Sequence, residues 1–188
     1  MLQSSFGFGG LCFSKDIRSL VYLCESFHMS EVASYWKSIL DMNEVQKIRT
    51  IPRVTSLFSG DIRGKRIAVL GIAFKKNTAD IRESCVIDLI KGFATAGALI
   101  TIYDLWVTAS RIRHDLGIGD AGEGHLGSTL KICKSAEEAC ERACAVLVTT
   151  DWDMFIVKPC ERVPESTESM VNYEISNVRT PSPSFFVV

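Results

Sequence analysis

The 188 residues contain three histidines, no Cys-x-x-Cys pair and almost no charge excess, since 21 Lys and Arg stand against 22 Asp and Glu. Without histidines at ligand spacing from the cysteines, no structural zinc and no other metal site is expected. The formal net charge of −1 gives no whole-chain field toward nucleic acid or an anionic membrane surface. No apolar run approaches the roughly 20 residues that a membrane-spanning helix needs. Met1 to Gly10 has neither the basic start nor the continuous apolar region of a signal peptide. Seven cysteines, odd in number and scattered, read as reduced thiols of a cytoplasmic protein.

What the sequence does contain begins with Gly7-Phe8-Gly9-Gly10-Leu11-Cys12-Phe13-Ser14-Lys15-Asp16. Its glycines free the backbone for tight turns and close ligand approach, and a thiol, an ammonium and a carboxylate follow where a helical pattern starts. A cysteine just ahead of a helix start meets unpaired N–H groups and the positive end of the helix dipole. With Lys15 nearby, both effects favour the thiolate, the reactive form. A cysteine behind a glycine loop is more often a small buried hydrophobe, and the Lys and Asp neighbours raise the reactive reading for Cys12 alone.

From Asp16 onward, Ile17, Leu20, Val21, Cys24 and Phe27 follow the spacing of a helix with one buried face. Ser30 can cap a second run carrying Val32, Ala33, Trp36, Ile39 and Leu40, with Lys37, Glu44, Gln46 and Lys47 mostly off the stripe. Pro52 should kink or interrupt this run near Thr50 or Ile51. Such a long helical stretch needs a partner: another domain, a copy in another subunit, or the core of its own domain.

Past the loop Ser59 to Gly64 the character changes. Arg66 to Leu70 is a short apolar run of the kind found in a central parallel strand. A polar loop from Phe74 to Glu83 leads to a helix beginning at Ser84 and stopping at Gly97. Leu99 to Tyr103 reads as a second strand, ended by Asp104. After a glycine-rich excursion from Leu116 to Ser128, Leu130 to Cys133 is a short strand, Ser135 to Ala143 a helix and Ala145 to Thr149 a buried strand. The alternation predicts an α/β fold, a long central helix followed by a doubly wound Rossmann-like parallel sheet. After Pro159 the period is lost, and a poorly ordered tail is expected.

Three segments, Gly7 to Asp16, Gly71-Ile72-Ala73-Phe74-Lys75-Lys76-Asn77-Thr78-Ala79-Asp80-Ile81-Arg82-Glu83-Ser84 and Thr150-Asp151-Trp152-Asp153, resemble the nucleotide-sugar dehydrogenases, the UDP-glucose/GDP-mannose dehydrogenase family. The likeness runs from about residue 4 to residue 163 and is strongest to the branch that oxidises UDP-glucose. It implies residues 1–15 as a catalytic glycine/cysteine loop, 16–58 as a dimerisation-type helix and 65–163 as an incomplete UDP-sugar-binding domain. Residues 164–188 are left as a divergent tail, expected to be disordered.

The family oxidises the C6 alcohol of UDP-glucose to the carboxylate of UDP-glucuronate in two hydride transfers to NAD, through a cysteine thiohemiacetal and thioester. Carried over position by position, this makes Cys12 the nucleophile, Lys15 the positive charge at the developing oxyanion and Asp16 the group that places water. Gln3, Ser4, Ser5, Phe6, Gly7, Phe8 and Gly9 correspond to the sugar-binding loop. Phe74 and Lys75 match uracil and diphosphate contacts, and Cys12, Phe13, Ser14, Lys15 and Arg82 match cofactor contacts. Without the family, Arg82 would read as an ion-pair partner of Asp80 or Glu83. Asp104 alone would suggest a ribose contact in a dinucleotide domain, but the strand end Gly71 to Phe74 lacks G-x-G-x-x-G, which favours a UDP-sugar site.

The sequence also departs from the family. Leu11, Gln3, Ala79 and Ile81 replace its usual residues. The glycine fingerprint of its NAD domain and the later Asp-Gly-Arg segment are not found in the chain, and Arg179 sits in the wrong context for the latter. We therefore expect a fragment without dehydrogenase activity of its own, missing the last strand of its sheet and leaving an unpaired edge. The alternatives are an interaction subunit that joins full-length or identical subunits through residues 16–58, and a UDP-sugar-binding fragment. Other sugar nucleotides are disfavoured as substrates.

Overall fold

The computed structural model describes residues 6–118 and 125–155 and the strand segments Val157–Pro159, Tyr173–Ile175 and Ser184–Val187. Two helices come first, α1 (Leu11–Ser26) and α2 (Ser30–Ser56). Helix α1 starts at Leu11, so Cys12, Lys15 and Asp16 lie inside its first turns, and the expected boundary between a loop to residue 15 and a helix from 16 is corrected. Gly10, at φ +84°, turns the chain into the helix. The two helices are separated at Phe27–Met29, where His28 takes φ +57°. Met29, not Ser30, occupies the cap position of α2, and its carbonyl accepts from Ala33 N. The Ser30 hydroxyl turns instead to Glu31, 3.4 Å away.

Pro52 does not interrupt α2, which runs on to Ser56. The carbonyl deprived of its partner by Pro52 belongs to Ile48, on the exposed face of the helix, where water can satisfy it. On the inner face, α2 buries Ala33, Asn43, Thr50 and Val54. Lys47 lies on the same face, its side chain only 13% exposed between Glu44 (2.9 Å) and Asp88 (3.3 Å), so its expected place off the stripe is also corrected. Phe27 and Val32, read as inward, are exposed.

The second layer is a sheet. Strands β1 (Arg66–Leu70), β2 (Leu99–Tyr103), β3 (Leu130–Ile132), β4 (Ala145–Val148) and β7 (Ser184–Val187) form five parallel strands in the order β3-β2-β1-β4-β7. Ile67, Ala68, Val69 and Leu70 of β1 and all of β4 are buried, as an apolar run between two helical layers requires. Helix α3 (Cys85–Thr95) crosses from β1 to β2 and fills the core with Leu89, Ile90 and Phe93. Ser84 caps α3 by accepting from Val86 N, and Gly97, at φ +85°, follows its end. Helix α4 (Ala109–Leu116), short α5 (His125–Thr129) and α6 (Ala136–Cys140) complete the connections. Helix α6 ends at Cys140, earlier than the expected Ala143, and α4 was not read from the sequence.

Two segments of the residues expected as a structureless tail are strands. Tyr173–Ile175 (β6) pairs antiparallel with β5 (Val157–Pro159), and β7 pairs parallel with β4, Phe185 beside Val146 and Phe186 beside Leu147. The missing-strand expectation is thereby corrected: Ser184-Phe185-Phe186-Val187 has the aromatic and β-branched composition that favours a strand, and it pairs along β4. The remainder of 164–188 lies outside the described residues.

Asp104, at the end of β2, is a buried junction and not a free ribose ligand. Its Oδ2 accepts from Ile72 N (2.7 Å) and Ala73 N (3.2 Å), and its Oδ1 from Trp106 N (2.9 Å) and Val107 N (3.0 Å). The Trp152 indole N–H approaches Oδ2 at 3.4 Å. The turn after β1, which leads to Phe74, is thus tied to the turn after β2.

Candidate active site

The glycine loop is held from two directions. From α2, Asn43 meets Phe8 with both ends of its amide: Oδ1 accepts from Phe8 N at 2.8 Å and Nδ2 donates to Phe8 O at 3.1 Å. From the sheet side, Cys85 Sγ donates to Gly7 O at 3.4 Å and Gly10 N donates to Arg82 O at 3.2 Å. Gly7 needs its missing side chain twice over, since its φ is +129° and a Cβ would stand 2.6 Å from Asn43 Oδ1. Gly10 has φ +84°, and a Cβ there would come within 3.0 Å of the Phe74 ring.

Beyond Gly10, Cys12, Lys15 and Asp16 occupy one exposed face of α1, as the i, i+3, i+4 spacing dictates. Lys15 Nζ lies 3.6 Å from Asp16 Oδ1, with both side chains well exposed. Phe13 packs edge-on against Phe8, ring centroids 4.7 Å apart. Lys75 Nζ sits 5.4 Å over the Phe74 ring, a cation–π contact. Arg82 grips Asp80 through Nε (2.9 Å) and Nη2 (2.8 Å). That fork holds the Asp80 carboxyl down at about 2. The same pairing raises the Arg82 guanidinium, and the Arg82 carbonyl accepts from Gly10 N, two residues before Cys12.

The structure therefore brings together Gly7, Phe8, Gly9, Cys12, Phe74 and Arg82, with Lys15, Asp16 and Lys75 at the margin. Phe6 points into the core and offers only its backbone. Gln3, Ser4 and Ser5 lie outside the described residues. Ser14 lies on another face of α1, where it lines a cleft of about 720 Å³ with Phe8, Tyr22, Leu40, Asn43 and Ile87. Cys12 does not line this cleft. Burial raises the Cys85 thiol above its ordinary value, which suits a structural contact to the loop more than a second nucleophile.

Sequence reading missed Asn43 and the structural use of Asp104. The signal for Asn43 was available: Ala33, Trp36, Leu40, Asn43, Lys47, Thr50 and Val54 share helical spacing. A polar residue on that stripe must find a buried partner. Among the described residues no group of three or more His, Cys, Asp or Glu is arranged to hold a metal, and no helix is long and apolar enough to cross a membrane.

Two family models match the chain: the UDP binding domain of the UDP-glucose/GDP-mannose dehydrogenase family over residues 68–181, and the central domain of the same family over residues 1–45. The first extends beyond residue 163, where the motif likeness ends. A UDP-glucose 6-dehydrogenase of Bos taurus is 42% identical over 163 residues, covering 86% of this chain and 33% of that protein. UDP-glucose 6-dehydrogenase 3 of Oryza sativa subsp. japonica is 42% identical over 164 residues, covering 82% and 34%. The chain thus spans about a third of the length of these relatives. Among solved structures, a UDP-glucose dehydrogenase from Pyrobaculum islandicum superposes with a TM-score of 0.64 at 27% identity, over 79% of this chain and 31% of that one. A GDP-mannose dehydrogenase ternary complex, at 22% identity and a TM-score of 0.58 over 81% and 33%, shares the fold.

Proposed function

Because the chain belongs to the UDP-glucose/GDP-mannose dehydrogenase family, we propose that it carries the cysteine loop and UDP-sugar site of an enzyme that oxidises UDP-glucose to UDP-glucuronate. The observation behind this reading is the junction at Gly10. The Phe74 ring, at the mouth of the parallel sheet, lies against the residue that opens the helix bearing Cys12, Lys15 and Asp16. A nucleotide held at Phe74 and Lys75 would extend its sugar along the loop toward the thiol, consistent with ligands binding at the carboxyl ends of parallel strands. Gln3 to Gly9 would offer backbone groups to the sugar.

Cys12 Sγ adds to the C6 carbonyl carbon of the aldehyde and retains that carbon as a thiohemiacetal, then as a thioester, so that no free aldehyde escapes. Lys15 Nζ donates to the oxygen on which negative charge develops. Asp16 accepts a proton from the water that cleaves the thioester, releasing the thiol. Asp16 and Lys15 are already within ion-pair distance, 3.6 Å, on the same helix face as Cys12.

NAD, when bound, supplies the acceptor for hydride. Its fit to the sheet domain is poor: the turn after β1 lacks the glycine fingerprint, and the Asp104 carboxylate is committed to four backbone N–H groups. The residues that would face the cofactor are Cys12, Phe13, Ser14, Lys15 and Arg82. The chain alone is accordingly read as a UDP-sugar-binding component that turns over no substrate.

A second reading adds an assembly role. Tyr22, Phe27, Tyr35, Met42 and Ile48 of the helical pair are exposed large apolar residues, an unusual concentration for a free surface, and they favour docking to identical or full-length subunits of the family. One set of measurements tests both readings. Titration calorimetry of the purified chain with UDP-glucose should give heat that Lys75→Ala weakens. NADH should not form from UDP-glucose and NAD, and size exclusion should report more than one copy per particle. NADH production abolished by Cys12→Ser would overturn the inactive reading. Absence of heat at millimolar UDP-glucose would overturn the binding reading, and a monomer that forms no mixed particle with a full-length relative would overturn the assembly reading.

A further inference from the structure

We infer that Asn43 is a positioning residue, which sets the backbone of the glycine loop for substrate by pairing with both polar backbone groups of Phe8. The UDP-glucose arm of its test rests on the function proposed above; the backbone arm does not.

The geometry is that of a side chain imitating a neighbouring strand. Phe8 N–H can only donate and Phe8 C=O can only accept, so the amide orientation is fixed: Oδ1 faces the N–H at 2.8 Å and Nδ2 faces the C=O at 3.1 Å. Reversing the amide would lose both bonds. Asn43 is buried, 7% exposed, on a helix whose other buried residues are Ala33, Thr50 and Val54. A polar amide is tolerated there because both its ends are satisfied.

Three observations point from this contact to the site rather than to general stability. First, Gly7 leaves the space that Oδ1 enters, so the loop and Asn43 are fitted to each other. Second, Phe8 transmits the constraint: its ring packs on Phe13, the residue after Cys12, with centroids 4.7 Å apart. Third, Phe8 belongs to the loop assigned above to the sugar, so a constraint on its backbone acts on that proposed site. Asn43 touches none of the groups assigned to the chemistry and acts through Phe8 alone.

The experiment uses the full 188-residue chain and three variants. Asn43→Ser is too short to reach both Phe8 groups. Gly7→Ala disturbs the same contact from the loop side, leaving α2 untouched. Val54→Ala removes a buried side chain of α2 that no part of the loop hydrogen-bonds, and serves as the control for lost stability. Hydrogen exchange at the Phe8 amide should accelerate about tenfold in Asn43→Ser and in Gly7→Ala, the worth of one lost hydrogen bond, and should stay at the parent value in Val54→Ala. In parallel, UDP-glucose should slow alkylation of Cys12 by iodoacetamide. The concentration giving half protection should rise about tenfold in Asn43→Ser and not in Val54→Ala.

An unchanged Phe8 exchange rate in Asn43→Ser would overturn the positioning role, as would equal acceleration in Val54→Ala. If the parent chain gains no protection from UDP-glucose while Phe8 exchange still responds to Asn43→Ser, the proposed substrate site fails and the positioning of the loop stands. Should Asn43→Ser not fold, Gly7→Ala supplies the same comparison from the other partner.

Discussion

Replacing Asp104 offers the most direct measure of what holds the mouth of the sheet together. Its two oxygens accept four backbone N–H groups at 2.7, 3.2, 2.9 and 3.0 Å, two from each of the turns that follow β1 and β2. The residue is 7% exposed, so water reaches the vacated space poorly. Each buried donor left without a partner costs roughly 1–3 kcal/mol. Asp104→Ala strands these four together with the Trp152 indole N–H, and with partial relaxation the expected loss is about 4 kcal/mol, a large share of the 5–15 kcal/mol that typically stabilises a domain. Asp104→Asn keeps one oxygen, which serves two donors, and turns an NH₂ toward the other two, so its loss should be about half as great. Urea titration followed by circular dichroism should show a lower midpoint at constant slope, and Asp104→Ala should lower Tm by about 10 °C. If Asp104→Ala unfolds the chain outright, the Asn variant still provides the measurement. A loss under about 1 kcal/mol in Asp104→Ala would refute the account of Asp104 as the junction between the two turns.

Two further outcomes follow from the charged and thiol groups. The Arg82 fork holds the Asp80 carboxyl at about 2 against an ordinary 3.8; because the folded value is the lower one, its stabilising contribution is complete above 3.8 and is lost as pH falls toward 2. Carboxyl-carbon NMR of Arg82→Ala should show Asp80 titrating near its ordinary value, and persistence near 2 would assign the depression to another cause. Burial pushes the Cys140 thiol up to about 12, whereas Cys12 is exposed. Iodoacetamide at pH about 8 should therefore label Cys12 well before Cys140, as read by peptide mass spectrometry, and simultaneous labelling would contradict the packing around α6.

Much of the fold was legible because its signals are local. Ile67 to Leu70 and Ala145 to Val148 are apolar runs that only a strand covered on both faces explains. Ser84 and Gly97 mark the two ends of α3 by capping and by left-handed backbone. The errors arose where distant contacts decide. Gly10 starts α1 early because the Phe74 ring and the Arg82 carbonyl seat it there, and neither is visible in the local pattern. Lys47 reads as a surface charge until Asp88, on another helix, meets it. Ser184 to Val187 is too short to declare itself a strand without β4 alongside, and the Pro and Ser before it read as loop. For the site, Cys12, Lys15 and Asp16 were legible as one constellation through their helical spacing. For Asn43 the spacing marks a place on the buried stripe of α2, but its partner Phe8, 35 residues away in the sequence, is not visible in that pattern, and Asp104 suggested a ligand contact because the four amides it serves come from two separate turns.

The contact between α2 and α3 has a mechanical consequence. Lys47 is pinned between Glu44 of its own helix and Asp88 of α3. Burial alone would push its ammonium down, but the two carboxylates outweigh that and raise it. A turn farther along, Ile51 fills the space above Gly92 that any side chain there would occupy. These two points, one electrostatic and one steric, join the helices on successive turns of α2 and oppose sliding of one along the other. The span from the Asn43 side of the glycine loop to its Phe74 side is then set like the gap of a caliper whose jaws have been fixed. The adjustable parts of the site are then the pieces that meet this frame, the glycine loop held by Asn43 and the turn that carries Phe74.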